Sequence, residues 1–167
     1  DDAINTLRTV IDLVQKSPDV TTSIIPEAAM LAAQLCAQID KNDDAVDFYQ
    51  LVLEHYHQSL QFAPAVLGML QSQLASQQND SVLQTFKQYK EVLDTTDNAI
   101  ACHLAGSAHQ MVGQHEEALA LFAIARRQVS SPVHDQTLYK IAVSWYELGQ
   151  FENTKRALNV LASDHPL

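Results

Sequence analysis

The chain has 167 residues, 47% of them apolar, and a net charge of −10 at neutral pH, with only four glycines and five prolines. The apolar fraction excludes wholesale disorder, and the acidic charge disfavours nucleic acid, whose phosphates it would repel. Glycine and proline are the residues that most often form turns, and a chain of many short strands needs many turns. So few of them therefore favour an all-α chain. No apolar run approaches the roughly 20 residues of a membrane span, so we expect no membrane insertion by this segment.

Apolar periodicity, together with the positions of proline and glycine, predicts nine helices in chain order. They cover approximately residues 2–16, 26–39, 43–56, 63–76, 80–93, 98–112, 116–129, 134–148 and 151–163. Pro26 and Pro64 lie near helix starts, where a missing N–H costs nothing, and Pro132 follows a helix end.

The helices repeat in pairs, and the clearest two copies are 36 residues apart. Gly113 and Gly149 each follow a small residue by seven positions and precede alanine or threonine by five. Asp40 holds the same place upstream, where aspartate can adopt a left-handed turn, and a fainter copy is centred on Gln77. We expect both glycines to end the first helix of a pair with positive φ. The alternative for Gly149, a hinge at an active site, is disfavoured.

Small and large apolar residues recur on one face of each helix. Leu138, Ile141, Ala142 and Trp145 form the stripe of one first helix. Gly106 is expected where two helix backbones approach closely, so that a bulky side chain there would force them apart.

This pattern resembles the tetratricopeptide repeat family, whose unit reads W-x2-L-G-x2-Y, then A-x3-F, then P, in about 34 residues. In one copy of this chain, the first half of the unit reads Leu138-x2-Ile141-Ala142-x2-Trp145. In the preceding copy, the second half of the unit reads Ala118-x3-Phe122-x2-Ala125. The resemblance is strong over 99–166, fair over 26–56 and weak over 62–94. Three residues depart from the pattern: His109 and His115 at usually aromatic places, and Gln73 at an apolar one.

The resemblance implies a right-handed superhelical solenoid of antiparallel helix pairs, with a generic helical-hairpin solenoid as the alternative. We expect a single array over 1–167. It would consist of the second helix of an incomplete repeat at 1–17 and helix pairs at 25–57, 62–94, 97–130 and 133–166. Helix 2–16 lacks a preceding partner and no polar cap follows Leu161, so we expect either an excerpt of a longer chain or self-association through uncapped ends.

The residues that could carry chemistry do not combine into a site. His103, His109 and His115 are six apart without a completing ligand, and no CxxC, HExxH, GxGxxG, GxxxxGK[ST] or GxSxG occurs. The acidic groups at 43–47 and 116–117 fall in first turns of helices, where the helix dipole favours negative charge. We therefore expect no enzyme, no cofactor and no metal site.

The two cysteines, Cys36 and Cys102, lie in apolar helical runs and are expected to pack as small hydrophobes. Cysteines of this kind favour a cytoplasmic location, with a periplasmic one as the alternative.

The resemblance also implies that first helices line a concave groove that binds a protein or peptide partner. The groove residues in this register are Met30, Gln34, Gln38, Leu67, Gln71, His103, Ser107, Gln110, Tyr139, Lys140, Val143, Tyr146 and Glu147. Tyr139 and Tyr146 are the best anchors, since exposed aromatic residues are common hot spots. For Met30 and Leu67 the alternative is packing between helices. Lys140 is the only basic residue on a first helix, which disfavours a clamp for carboxylates.

The expected function is a non-catalytic scaffold that binds a peptide or helix within a multiprotein assembly. Two alternatives stay open: an acidic tetratricopeptide chaperone for an exported client, and the accessory region of a larger enzyme. Residues 1–83 hold eleven acidic and three basic residues, so this half favours a basic or neutral partner.

Overall fold

The computed structural model describes residues 4–6, 8–9, 24–95 and 98–164, and in this part of the chain all regular structure is helical. Residues 4–6 and 8–9 are helical, and nine further helices follow. They are α1 (Ile24–Gln38), α2 (Asn42–His55), α3 (Phe62–Ala75), α4 (Asn79–Gln88), α5 (Lys90–Thr95), α6 (Asn98–Met111), α7 (His115–Ala125), α8 (His134–Glu147) and α9 (Phe151–Asp164). The all-α prediction is confirmed, while most of the predicted helix 2–16 lies outside the described residues.

Four turns with positive φ mark the repeat. They are centred on Asp40 and Gln77, both at φ 59°, and on Gly113 and Gly149, at 78° and 70°. The residue after three of these turns donates its N–H to the carbonyl five positions earlier: Lys41 to Cys36 at 2.9 Å, Gln114 to His109 at 2.9 Å, and Gln150 to Trp145 at 2.9 Å. This bond is the signature of a Schellman helix end. Gly149 is therefore the turn of a helical hairpin, as predicted.

Two helices differ from the prediction by more than two residues at one end. The predicted helix 80–93 is two helices, α4 and α5, because the backbone at Tyr89 (φ −107°, ψ 19°) leaves helical geometry. Tyr89 still accepts the N–H of Leu93 at 3.1 Å, so the chain resumes a helix at once. The second difference is that α7 ends at Ala125, four residues earlier than predicted.

The chain divides into two compact units, Asp1–Gln77 and Gln78–Leu167, so the third predicted pair is split between them. In the first unit α2 packs against α1 and α3. Tyr49 of α2 lies over Gly68 of α3, where an added Cβ would come within 2.6 Å of Tyr49 Cε1. The small residues on the facing side of α1 are fully buried: Ala29, Ala32, Ala33 and Cys36.

In the second unit α6 is the central helix, with residues 101–108 all buried between α4, α7 and α8. Phe122 of α7 is fully buried and lies over Gly106, where an added Cβ would be 2.7 Å from Phe122 Cε1. The predicted close approach at Gly106 is confirmed. Ala118, Phe122 and Ile141 form the core of this unit, and the partly buried Trp145 packs against them.

Both cysteines are free and buried, as expected for small hydrophobes. Burial raises the pKa of Cys36, and it raises that of Cys102 to about 11. The Cys102 thiol donates to Asn98 Oδ1 at 2.9 Å. Neither thiol is activated as a nucleophile, because the reactive thiolate is disfavoured at both positions.

Candidate partner-binding surface

One face of α8 carries aromatic side chains that the core does not cover. Tyr139 and Tyr146 are 57% and 58% exposed, and they lie seven residues apart, so they share a helix face. Val143 lies between them and is partly buried. Phe151, at the start of α9, is 64% exposed and meets the Tyr146 ring edge to face, with centroids 5.8 Å apart. We name this set, Tyr139, Val143, Tyr146 and Phe151, the aromatic strip.

Phe151 is the member of the strip that was not predicted as a binding residue. The sequence places it two residues after Gly149, the turn between α8 and α9. The signal that could have found it is its distance from Tyr146, five residues across a tight turn, which brings the two rings together.

The side of α8 next to the strip is held to α6 by hydrogen bonds. Gln110 Nε2 donates to Lys140 O at 2.9 Å and to Ser144 Oγ at 2.8 Å. Lys140 Nζ donates to Gln110 Oε1 at 3.3 Å. Burial lowers the pKa of Lys140. Two predicted groove residues, Gln110 and Lys140, are thus brought together, and their hydrogen bonds join α6 to α8.

His103 and Ser107, both predicted groove residues, lie in the interior. They are 5% and 1% exposed. Thr137 Oγ1 donates its one proton to Val133 O at 2.7 Å, so it accepts from His103 Nδ1 at 2.8 Å. This assigns the Nδ1–H tautomer to His103. Burial, with a smaller contribution from the Lys140 ammonium, lowers the pKa of His103 to about 4.

The interior position of these two residues has a simple cause. Because α6 is packed by α7 on one side and α8 on another, its polar residues meet neighbouring helices instead of solvent. Ser107 donates to the carbonyl of His103 on its own helix at 2.8 Å. Both residues therefore stabilise the packing of the helices beneath the surface, and they have little exposed area that a ligand could contact.

The five predicted groove residues of the first unit differ in exposure. Met30 is buried, at 7% exposure, and Leu67 is partly buried. The three glutamines, Gln34, Gln38 and Gln71, are exposed on α1 and α3. Exposed amides can donate and accept hydrogen bonds, and the peptide-binding role of these glutamines stays a prediction.

Two carboxylates, Asp135 and Glu147, are exposed on α8. Asp135 lies one helical turn before Tyr139, and Glu147 directly follows Tyr146 in the chain. Among the described residues of α6, none is lysine, arginine, aspartate or glutamate. The fully exposed charged side chains of α8 are therefore both acidic.

Neither a metal site nor a membrane-spanning helix is found among the described residues. Within residues 4–6, 8–9, 24–95 and 98–164, no group of three or more histidine, cysteine, aspartate or glutamate side chains could hold a metal ion. Across the same ranges, none of the helices combines the length and the apolar character that crossing a membrane requires.

The model of the Tetratricopeptide repeat family matches residues 136–167, which include nearly all of α8 and α9. This segment is similar to a tetratricopeptide repeat. The aromatic strip lies within the matched segment, and the resemblance inferred from the sequence is confirmed.

A solved structure titled "Crystal structure of MamA" is similar in fold over nearly the whole chain. The TM-score is 0.76 with 11% sequence identity, and the match covers 96% of this chain and 85% of that one. At this identity the likeness shows the fold alone. With the family match, it confirms the tetratricopeptide-like, all-α fold class. No curated protein matches the sequence.

Proposed function

We propose that the chain is a non-catalytic protein-interaction module that holds a peptide or helix of a partner protein against the aromatic strip. The observation that carries the proposal is the exposure of Tyr139 and Tyr146 on one face of α8. Tyrosine offers a large apolar ring and a hydroxyl that can hydrogen-bond, and it loses little conformational entropy on binding. Two such residues beside each other are typical of interface hot spots.

The strip has the dimensions of a short recognition site. Seven residues of helix separate the two tyrosines, which corresponds to about 10.5 Å along the axis of α8. Phe151 extends the apolar surface past the turn at Gly149. This length suits about two turns of a partner helix.

The helix under the strip is held rigidly, which lowers the entropic cost of binding. On its inner side Leu138, Ile141 and Ala142 are buried. On its α6 side the hydrogen bonds of Gln110 and His103 fix its position. A preorganised surface of this kind has less freedom to lose when a partner docks. Buried His103 and Ser107 thus contribute by holding α8 in place, and the exposed Glu147 by contact.

The test replaces Tyr146 with a photo-crosslinking phenylalanine analogue in the full-length protein in its native cell. The crosslinked partner is then purified, and its affinity for the wild-type chain is measured. We expect Tyr139→Ala with Tyr146→Ala to weaken that affinity at least tenfold, which corresponds to about 1.4 kcal/mol or more. The matched control is Leu60→Ala with Val129→Ala, which truncates two exposed apolar residues elsewhere, at 94% and 73% exposure.

A partner that binds the double tyrosine variant and the control variant equally well would overturn the proposed site. Helicity measured by circular dichroism must be unchanged in both variants, so that a loss of binding reports the surface and not the fold.

We also propose self-association through α9, on a separate observation. Leu158 stands 36 residues after Phe122, yet Phe122 is fully buried under α8 and Leu158 is 43% exposed. Val160 on the same helix is 47% exposed. Sedimentation equilibrium over a range of concentrations tests this proposal: Leu158→Glu should shift a concentration-dependent dimer to monomer. A wild-type chain that is monomeric throughout contradicts it.

A further inference from the structure

We infer that the segment bound on the aromatic strip is a cationic amphipathic helix. The inference rests on the proposed function and deepens it by naming the chemistry of the partner. Its basis is the placement of Tyr139, Val143 and Tyr146 at helical spacing on α8, with the Phe151 ring beside Tyr146 and two carboxylates on the same helix.

The spacing of the strip favours a helix as the ligand. Tyr139, Val143 and Tyr146 stand at i, i+4 and i+7, which is the spacing of an apolar stripe on an α-helix. A partner helix that lies along α8 can place apolar residues at the same intervals, so that each one meets a gap between two side chains of the strip. A protein that binds an amphipathic helix on an apolar surface recognises it through apolar side chains at these intervals.

The charges of the strip favour a cationic partner. Asp135 and Glu147 are exposed at the two ends of α8, one turn before Tyr139 and next to Tyr146. Glu147 has no ion-pair partner among residues 4–6, 8–9, 24–95 and 98–164. A carboxylate beside an exposed ring can receive a lysine or arginine of the partner.

The lysine of α8 does not neutralise Glu147 at the surface. Lys140 is partly buried and its amine is bonded to Gln110 Oε1, on the α6 side of the helix. At the Phe151 end, α9 carries the exposed Glu152, Lys155 and Arg156, so this end of the strip is not acidic. The exposed negative charge beside the two tyrosines is that of Asp135 and Glu147 on α8.

The tyrosine rings add a second reason for cationic side chains. A lysine or arginine over the face of a tyrosine is attracted by the ring quadrupole, and Tyr139 and Tyr146 are each more than half exposed. The net charge of −10 of the whole chain attracts the same partners at long range and raises the association rate at low ionic strength.

The test uses three synthetic helical peptides that share leucine at i, i+4 and i+7. Their remaining positions carry lysine in the first, glutamine in the second and glutamate in the third. Binding to the full chain is measured by fluorescence anisotropy at low and high salt. We expect the lysine peptide to bind at least tenfold more tightly than the glutamate peptide, and the difference to shrink as salt screens the charges.

Two charge variants separate local from overall attraction. Glu147→Lys should weaken the lysine peptide about tenfold and strengthen the glutamate peptide, and the last position of a helix tolerates lysine well. Glu117→Lys makes the same charge change on α7, at another exposed site, and should leave the ranking of the peptides almost unchanged.

The outcomes distinguish the inference from the proposed function. If Tyr139→Ala with Tyr146→Ala weakens all three peptides alike and charge has no effect, the cationic partner is wrong and the strip remains a binding site. If Glu117→Lys and Glu147→Lys weaken the lysine peptide equally, the attraction is a property of the whole chain and the inference is overturned. If the lysine peptide binds the double tyrosine variant as tightly as wild type, both the inference and the strip fail.

Discussion

Replacing Gly106 with alanine tests the closest helix contact of the second unit. The Cβ that alanine adds would lie 2.7 Å from Cε1 and 2.8 Å from Cδ1 of Phe122. Carbon atoms in ordinary contact are about 3.5–4.0 Å apart, so the ring or the helix must move by roughly 1 Å. The ring has little room, because Phe122 is fully buried and the His103 ring lies 6.0 Å from it, centroid to centroid.

Two opposing terms set the size of the effect. Overpacking of this kind costs about 1–3 kcal/mol. Alanine is the better helix former and returns about 1 kcal/mol. We therefore expect Gly106→Ala to lower the free energy of unfolding by up to about 2 kcal/mol. Phe122→Leu removes the ring atoms that clash, so the double variant should be more stable than the sum of the two single effects by about 1 kcal/mol or more.

Urea unfolding, followed by Trp145 fluorescence, measures this effect in the right unit, because Trp145 packs on the same core cluster as Phe122. Gly113→Ala is the matched control: nothing lies within 4 Å of its added Cβ, and only the φ of +78° opposes the substitution. A Gly106→Ala chain that is about 1 kcal/mol more stable than wild type, with no coupling to Phe122→Leu, would show that helix propensity alone acts there and that the close approach is wrong.

Three further predictions concern stability. Because the pKa of His103 is lowered to about 4 in the folded state, the unfolded chain binds more protons between about pH 6.5 and 4, so His103 should lower the free energy of unfolding by up to about 2–3 kcal/mol as the pH falls through that window. Urea titrations of wild type and His103→Gln should show their stability difference changing over this range; parallel curves contradict the assignment. Gln77→Gly should stabilise the chain by up to about 1 kcal/mol, because Gln77 adopts φ 59°, whereas a stability loss of that size would mean that the turn has another geometry. Trp145→Ala should cost about 2–4 kcal/mol, because the partly buried ring covers the core of the second unit, and thermal unfolding that shows a loss below about 1 kcal/mol would remove the ring from that core.

The predictions from the sequence were best where the physics is local. The turns at Gly113 and Gly149 and the stripe of Leu138, Ile141 and Ala142 follow from backbone preferences and from the 3.6-residue period of a helix. Asp40 was expected to allow a left-handed turn, and it does. The prediction of a single array over 1–167 stays a prediction.

The exposure of the predicted groove residues depended more on tertiary structure. His103 and Ser107 occupy the same register as exposed groove positions, yet both are buried because α6 has packed neighbours on several sides. Phe151 belongs to the aromatic strip only because the turn brings its ring to Tyr146. The break at Tyr89 also had no clear signal in the apolar pattern.

Local sequence patterns predicted the helices of the described residues, the four turns with positive φ, and the apolar stripes that face a core, since these properties depend on residues at most seven positions apart. Which polar residues of the first helices reach solvent depends instead on how the helices pack. The hydrogen bonds from Gln110 to Ser144 and from His103 to Thr137 join residues 34 apart. Whether such a pair meets depends on how two helices cross, and that geometry is set by the packing of the whole interface.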